Sequence, residues 1–309
     1  KFSEFLQMLA DDQKAALDFY HERMEESLSE KGCSLTMDDV KRYKVVERKP
    51  VKIDYHGKTV ELASPPSAGG VLIAHALKLV ENKNIGKLEH NSAEHIRVLA
   101  ETMSETDSER TPEFFKNLLY ADGFWRKFLK RPDRLGGTTH VSVIDSEGSS
   151  AAITTSNGEG AGVMVKGTGI MFNNFAAEPD LMQYRDIYRP GHRIITMMSP
   201  TAISQDGRLE AVLGSGGNNR IRSAIFQVIS NMLDFRMPPQ KATDASRVHY
   251  EAGVLQLEHG IKPAVMKELA KEYKTNPWRM KNLFFGGVHV AAPTAAGGDR
   301  RRGGSTIVE

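Results

Sequence analysis

The chain has 309 residues, of which 40% are hydrophobic and 26% charged, and its formal net charge is +2. This length suffices for one large domain or two ordinary ones, and the small net charge argues against nucleic-acid or anionic-membrane binding. No stretch reaches the ~20 apolar residues of a membrane helix, and the single cysteine, Cys33, excludes an intramolecular disulfide and a multi-cysteine metal site.

The first half of the chain is predicted to be mainly helical. Helical spacing of apolar residues, strand-like alternation and turn signals predict the elements in chain order. These are a helix over 12–31 that stops at Gly32, a helix N-cap at Thr36, a hairpin over 51–62 that turns at His56-Gly57, and helices over 71–80 and 93–131, the second interrupted at 106–110.

The pattern changes at Gly136, after which strands and glycine-rich turns dominate. The predicted elements are strands at 141–144, 151–154, 210–213, 254–257, 288–290 and 305–308, and an amphipathic helix over 220–235. No repeat or low-complexity linker separates the two halves. The patterns therefore predict one α/β domain with a sheet-rich second half.

Residues Gly136-Gly137-Thr138-Thr139-His140 allow two interpretations. Threonines at the head of an alternating run are an ordinary strand start, because β-branched residues favour strands. If the bond between Gly137 and Thr138 were cut, Thr138 would instead carry a hydroxyl nucleophile and a free α-amine able to act as its general base. Taken alone, the five residues favour the strand start.

The segment Gly214-Ser215-Gly216-Gly217-Asn218-Asn219-Arg220 lies between a predicted strand and a predicted helix. It is a tight turn, a phosphate cradle at a helix N-terminus, or an oxyanion hole. The phosphate cradle is disfavoured, because the loop lacks the Lys-Ser/Thr ending of a P-loop and the GxGxxG spacing.

Three other polar features carry weaker signals. His90 and His95 are five residues apart and would point to different helix faces, which does not suit a zinc pair. The segment Asp299-Arg300-Arg301-Arg302-Gly303-Gly304 is either a basic nucleic-acid patch or a set of ion pairs, and no aromatic platform accompanies it. Glu178 is either an amine-binding carboxylate or a solvated loop acid.

In their order along the chain, these motifs resemble those of the gamma-glutamyltransferase (gamma-glutamyltranspeptidase) family of N-terminal-nucleophile (Ntn) hydrolases. The similar segments are 19–21, 35–43, 55–57, 64–70, 137–145, 167–174, 198–201, 214–221, 285–289 and 299–304. One such motif is weak, but the ordered set is specific. The resemblance implies the α+β fold of that superfamily, a four-layer αββα sandwich.

The resemblance also implies a role for each matching residue. Thr138 is expected to cleave the chain after Gly137 and then to serve as the catalytic nucleophile. Ser156, a conservative replacement, matches a second hydroxyl that positions the nucleophile. The other matches are the oxyanion-hole residues Gly217 and Asn218, and the substrate-binding residues Asn157 for the α-amino end, Glu178 for the amine and Thr196 for the α-carboxylate.

The chain departs from the family pattern around the substrate pocket. Phe175 stands where a polar residue is common, Glu178 replaces an aspartate, and Thr196-Met197 replaces a Ser-Ser pair. Losing one donor to a buried carboxylate costs about 1.5–3 kcal/mol. Asn218 replaces a glycine, but it retains its N–H and tolerates positive φ better than most residues.

The resemblance implies a threonine-nucleophile amidase or acyltransferase of glutathione metabolism, which passes a γ-glutamyl group to water or an amine. Segments 1–137 and 138–309 are expected to stay together as one domain after cleavage. The alternatives are the same scaffold acting on a glutaryl-type amide or poly-γ-glutamate, and an inactive, unprocessed relative with a binding or structural role.

The expected partner is a small-molecule substrate. The two cleaved fragments are expected to associate with each other, and a homodimer is possible. No cofactor, metal, nucleic acid or membrane segment is expected. The first residues, Lys1-Phe2-Ser3-Glu4, show neither an initiator methionine nor a signal-peptide pattern, so the chain is expected to begin inside the family's large subunit. The compartment stays open.

Overall fold

The computed structural model describes residues 1–30, 35–121, 138–178, 182, 184–217 and 219–308. The helices are α1 Phe2–Asp11, α2 Gln13–Glu30, α3 Met37–Arg42, α4 Ala68–Glu81, α5 Ala93–Ser108, α6 Pro112–Tyr120, α7 Arg220–Leu233, α8 Pro239–Asp244 and α9 Pro263–Leu269. The strands are β1 Val51–Tyr55, β2 Lys58–Leu62, β3 Thr139–Ile144, β4 Ser150–Thr155, β5 Thr201–Gln205, β6 Arg208–Gly216, β7 Val248–Glu251, β8 Val254–Leu257, β9 Lys274–Pro277, β10 Gly287–Ala292 and β11 Ala295–Gly297.

The main sheet has six strands in the order β1-β2-β5-β6-β10-β11, each antiparallel to its neighbours. β3 and β4 form a separate antiparallel hairpin in which Thr139 pairs with Thr155. β7, β8 and β9 form a third sheet, in which β8 and β9 run parallel. None of the described helices is long and apolar enough to cross a lipid bilayer.

Helices and the β3–β4 hairpin cover opposite faces of the main sheet. α4 packs on β1 and β2, α7 packs on β6 and β10, and the hairpin lies over β6 and β10. Because successive residues of a strand face opposite sides, Gly214 and Gly216 of β6 face the hairpin while Leu213 faces the helices. Two β layers are therefore stacked in the described part of the chain.

The main hydrophobic core fills the space between the sheet and α4, α5 and α7. It takes in side chains from before and after Thr138, such as Val51 and Leu72 on one side and Leu213 and Val288 on the other. Both halves of the chain thus contribute to one core.

Most of the predicted elements are confirmed. The hairpin pairs Val51 with Leu62, and Thr36 caps α3 in a capping box with Asp39. The predicted interruption of the long helical region is the break between α5 and α6. The strand predicted at 305–308 is wrong, because β11 lies beside β10 at the sheet edge and Ile307 is exposed. Gly32, Cys33, Gly136 and the predicted cleavage-site residue Gly137 lie outside the described residues.

Four buried charged side chains tie the C-terminal segment to the core. Asp299 Oδ2 lies 2.7 Å from Arg247 Nη2, and Asp299 Oδ1 lies 3.1 Å from Arg301 Nη1. Arg301 also pairs with Glu258, and all four side chains are at most 1% exposed. The ion-pair interpretation of this motif is confirmed for Asp299 and Arg301, whereas the side chain of Arg300 is 78% exposed.

Asp299→Asn is expected to lower the free energy of unfolding by about 3–5 kcal/mol, because Arg247 and Arg301 would stay buried without their shared anion. Burial alone would raise the pKa of Asp299, but the two arginine charges outweigh it and lower the pKa from 3.8 to about 2. The stabilisation is therefore present above pH 3.8 and is lost as the pH falls towards 2. Urea unfolding at pH 7 and pH 3 measures both effects.

Glu268→Gln is the matched control for a surface pair. Glu268 lies 2.7 Å from Arg97, and the two side chains are 49% and 28% exposed. Removing the Glu268 charge is expected to lower the free energy of unfolding by less than about 1 kcal/mol. Similar losses in the two variants would contradict the prediction.

Candidate active site

Thr138 lies directly before β3, at the open end of the hairpin, and is only 8% exposed. Its main-chain carbonyl accepts a hydrogen bond from Arg302 Nη1 at 3.2 Å. Gly216 packs against the same carbonyl so closely that a Cβ at position 216 would stand 1.6 Å from the oxygen. The peptide unit of Thr138 is therefore held between the end of β6 and the C-terminal arginine.

Ser156 lies directly after β4, so it stands beside Thr138 at the open end of the hairpin. The register that pairs Thr139 with Thr155 places residues 138 and 156 next along the two strands. The Ser156 side chain is half-buried, and its Oγ accepts a hydrogen bond from the Gly158 N–H at 3.0 Å. The structure therefore brings together the two hydroxyl residues that the sequence predicts.

Asn157 lies in the loop that follows Ser156, and the Glu178 side chain contacts the same loop. The carbonyl of Asn157 accepts hydrogen bonds from the N–H groups of Gly160 at 3.0 Å and Asn174 at 3.2 Å. Glu178 is 8% exposed, and its Oε1 accepts a hydrogen bond from the Glu159 N–H at 3.1 Å. Glu178 is therefore a buried carboxylate, and the interpretation as a solvated loop acid is wrong.

Gly217 continues from β6 beside the Thr138 carbonyl. Its φ of +130° belongs to the region that glycine alone adopts readily, and a Cβ there would lie 2.5 Å from Gly286 Cα. Asn218, the second predicted oxyanion residue, lies outside the described residues. The described one of the two predicted oxyanion residues, Gly217, therefore directly follows the glycine that packs on the Thr138 carbonyl.

Asn219, the next described residue, is fully buried and held by charged side chains. Its Nδ2 donates to Glu251 Oε1, and its Oδ1 accepts from Arg110 Nη2 at 3.4 Å. Burial alone would raise the pKa of Glu251, but the hydrogen bond with His249 and the charges of His249, Arg222 and Arg110 lower it to about 2. A carboxylate at pH 7 therefore anchors the loop where α7 begins.

Thr196 contacts a different part of the fold, the turn before α4. Its carbonyl accepts from the Ala68 N–H at 2.8 Å, and its Oγ1 accepts from the Met198 N–H at 3.1 Å. Met197 is 2% exposed and packs in the main core. The Met197 side chain therefore faces the core and not the turn before α4 that Thr196 contacts.

His140 links the hairpin to β6 two residues after Thr138. It is 4% exposed, its Nδ1 lies 2.7 Å from Thr154 Oγ1, and its Nε2 lies 2.9 Å from Ser142 Oγ. Gly214 gives the ring its space, because a Cβ there would lie 2.3 Å from the imidazole. Burial, with a smaller effect of His289, lowers the pKa of His140 to about 4.

Protein stability is expected to fall between pH 6.5 and pH 4 because of this ring. The unfolded chain takes up a proton near pH 6.5, whereas the folded chain does so only near pH 4, so the free energy of unfolding decreases across that window. Between pH 7 and pH 5 the effect of His140 is about 2 kcal/mol. Urea unfolding of the wild type and of His140→Gln at both pH values should give a smaller loss in the variant, and equal losses would contradict the prediction.

In the part of the chain that the structure describes, no three His, Cys, Asp or Glu side chains are arranged to hold a metal ion. The groups that the structure places at Thr138 are its own hydroxyl, its fixed carbonyl and the guanidinium of Arg302. That set suits nucleophilic acyl transfer.

Comparison with known proteins identifies the family. The model of the family described as gamma-glutamyltranspeptidase matches residues 1–122 and 120–308. The chain belongs to the gamma-glutamyltranspeptidase family. Among its curated relatives, the glutathione hydrolase proenzyme of Pseudomonas aeruginosa is 32% identical over 255 residues, which cover 70% of this chain and 46% of that protein. The acylase ACY 1 proenzyme of Pseudomonas sp. strain SE83 is 33% identical over 265 residues, covering 77% of this chain and 47% of that protein.

Among solved structures, cephalosporin acylase from Bacillus halodurans superposes on this chain with a TM-score of 0.75 at 21% identity. The match covers 97% of this chain and 60% of that one, and it confirms the predicted α+β sandwich fold. The chain spans about half the length of the curated relatives it matches.

Proposed function

We propose that this chain is an autoprocessing threonine-nucleophile amidase and acyltransferase that acts on γ-glutamyl amides such as glutathione. The observation that carries the proposal is Thr138, buried at the open end of the hairpin with its carbonyl held by Arg302 and Gly216. Family membership and the proenzyme names of the relatives support it.

Processing begins with attack of Thr138 Oγ on the carbonyl carbon of Gly137. The bond from that carbon to the Thr138 nitrogen breaks as the new ester forms, and the nitrogen takes up the hydroxyl proton. The α-amine of Thr138 is free from that moment, and water then hydrolyses the ester, which restores the Thr138 hydroxyl and leaves a carboxylate on Gly137. The products have 137 and 172 residues. They stay together as one domain, because residues of both segments share the main core.

Turnover uses the same hydroxyl with the new amine as its base. Thr138 Oγ attacks the γ-carbonyl carbon of the substrate while the α-amine accepts the proton. The N–H groups of Gly217 and Asn218 stabilise the oxyanion, and the leaving amine departs with a proton from the ammonium. Water or an acceptor amine then releases the acyl group from Thr138. Ser156 orients the nucleophile.

In this proposal the loop after β4 and Thr196 bind the substrate. Asn157 and Glu178 contact the α-amino end, where the buried carboxylate of Glu178 complements a positive charge. Thr196, which lies beside the turn before α4, contacts the α-carboxylate.

Two measurements on one purified sample test the proposed function. Intact mass and N-terminal sequencing after incubation should show two polypeptides, one of which begins at Thr138, and the sample should hydrolyse γ-glutamyl-p-nitroanilide. One uncut chain without activity would refute the proposal and favour the inactive relative. A cut chain without activity would refute the substrate but retain the processing step.

A second candidate is the same scaffold acting on a different acyl amide, such as a glutaryl group or poly-γ-glutamate. It is favoured because the acylase ACY 1 proenzyme at 33% identity is as similar as the glutathione hydrolase proenzyme at 32%. Equal kcat/KM for γ-glutamyl and glutaryl p-nitroanilides would favour this candidate. A preference of more than tenfold for the γ-glutamyl compound would exclude the glutaryl group as its substrate, because the compounds differ by the α-amine that Glu178 would bind.

A further inference from the structure

The C-terminal arginine segment reaches the residue that carries the proposed chemistry. Arg302 stands in a 3₁₀ turn, Arg300–Arg302, which Asp299 opens by accepting from the Arg301 N–H at 3.0 Å. The Arg302 side chain crosses Gly287 of β10, where a Cβ would lie 2.4 Å from Arg302 Cδ. Its Nη1 then donates to the carbonyl of Thr138 at 3.2 Å. The path of this side chain therefore depends on a glycine and ends at the nucleophile.

The base of the turn is fixed, so the guanidinium is held in a defined place. Asp299 pairs with Arg247 and Arg301, all with side chains at most 1% exposed. Asp299 Oδ2 also accepts from the Val288 N–H at 2.9 Å, which joins the turn to β10. Arg302 thus extends from an anchored segment. Because its main chain is held, the guanidinium is not displaced by movement of the backbone.

We propose that Arg302 is a positioning residue for Thr138, which holds the nucleophile through its main-chain carbonyl once the chain has been cut. The inference rests on the proposed function, because it concerns the residue after cleavage. Cleavage removes the covalent link on the N-terminal side of Thr138. Its orientation then depends on β3, which begins at the next residue, and on contacts to its carbonyl. A charge-assisted hydrogen bond is stronger than a neutral one and holds direction as well as distance.

The same guanidinium sets the charge around the α-amine. The amine and carbonyl oxygen of one residue are within about 3.6 Å, so Arg302 Nη1 lies no more than about 7 Å from the amine. The ionisable side chains on the elements packed against Thr138 include His140 from β3, His289 from β10, and Asp299, which Arg247 and Arg301 neutralise. Burial lowers the pKa of both histidines, so Arg302 supplies the positive charge. A nearby cation disfavours the ammonium and keeps the amine available as a base.

Arg302→Gln, Arg302→Lys and Arg300→Gln test the proposal in the full chain. The control, Arg300, lies in the same turn, but its side chain is 78% exposed and 3.8 Å from Asp244. Processing half-time is followed by intact mass, and kcat, KM and the pH profile of kcat/KM are measured with γ-glutamyl-p-nitroanilide in cut samples. Melting temperature reports whether each variant folds.

Arg302→Gln is expected to lower kcat ten- to a hundredfold, on the order of the effect of a small misplacement of a reacting group, with KM changed by less than about twofold. The acid limb of its pH profile of kcat/KM should move to higher pH, because the α-amine of Thr138 loses its neighbouring cation and its pKa rises. Arg302→Lys should restore the acid limb and part of kcat, and Arg300→Gln should resemble the wild type.

Two results would overturn the proposal. One is an Arg302→Gln variant whose kcat and acid limb match those of the wild type. The other is a loss of kcat that accompanies a lower melting temperature, leaves the acid limb unmoved and is not restored by lysine, since that result indicates a structural role. Failure of the proposed function itself is distinct, because the wild type would then be uncut or inactive.

Discussion

Alanine in place of Thr138 is expected to leave the chain as one uncut polypeptide of 34.2 kDa with no measurable amidase activity. The proposed nucleophile of both processing and turnover is the same hydroxyl, so its removal stops both reactions. Removing a catalytic nucleophile costs at least about a thousandfold in kcat. Gel electrophoresis over a long incubation and p-nitroanilide release measure the two losses.

Thr139→Ala is the matched control for this prediction. Thr139 is the adjacent threonine, but it is exposed and pairs with Thr155 as the first residue of β3. The variant should be cut at the same bond and should turn over substrate at nearly the wild-type rate. If Thr138→Ala were cut at position 138, or if both variants lost activity equally, Thr138 would not be the nucleophile.

Local sequence signals predicted those parts of the fold that local physics decides. The β1–β2 hairpin follows from alternation and a turn at His56-Gly57, and both turn residues have positive φ, +53° and +77°. Thr36 is predicted as an N-cap because acidic residues follow it in the first helical turn, and in the structure its side chain and that of Asp39 form a capping box. Such features need no knowledge of the rest of the chain.

The direction of Met197 was not available in the sequence, because Ile194-Ile195-Thr196-Met197-Met198-Ser199 does not alternate between apolar and polar residues. Ile195, Met197 and Ser199 are buried, whereas Thr196 and Met198 between them are half-buried. This alternation has the period of two that marks an extended segment with one face in the core. The structure therefore places Met197 on the core face, and Thr196 and Met198 on the other face.

The contact between Arg302 and Thr138 could not be predicted in the same way. The two residues are 164 positions apart, and their meeting depends on how β10, the C-terminal turn and the hairpin stack. The sequence offered only a basic segment with two interpretations. Its division into one exposed arginine, one internal ion pair and one contact to the nucleophile is a property of the tertiary fold.

Gly216→Ala is expected to reduce processing and turnover about a hundredfold while leaving a folded protein. The added Cβ would stand 1.6 Å from the Thr138 carbonyl oxygen and 2.6 Å from its carbon. β6 cannot move away freely, because Gly216 pairs with Gly287 of β10. The Thr138 peptide must therefore shift by more than about 1 Å, and a misplacement of that size costs on the order of a hundredfold in rate.

Gly207→Ala separates this local effect from a general cost of losing a glycine. Gly207 lies in the β5–β6 turn with a φ of +76°, and a Cβ there would meet nothing within 4 Å. It should cost about 1–2 kcal/mol of stability through backbone strain alone and leave kcat unchanged. Gly216→Ala should cost about 1–3 kcal/mol of stability through overpacking. The two variants should therefore have similar stabilities but very different kcat values. If the Gly216→Ala and Gly207→Ala variants were equally active, catalysis would not depend on the position in which Gly216 and Arg302 hold the Thr138 carbonyl. If Gly216→Ala were much less active than Gly207→Ala at similar stability, a glycine would be required at position 216 because the main chain of the nucleophile Thr138 packs directly against it.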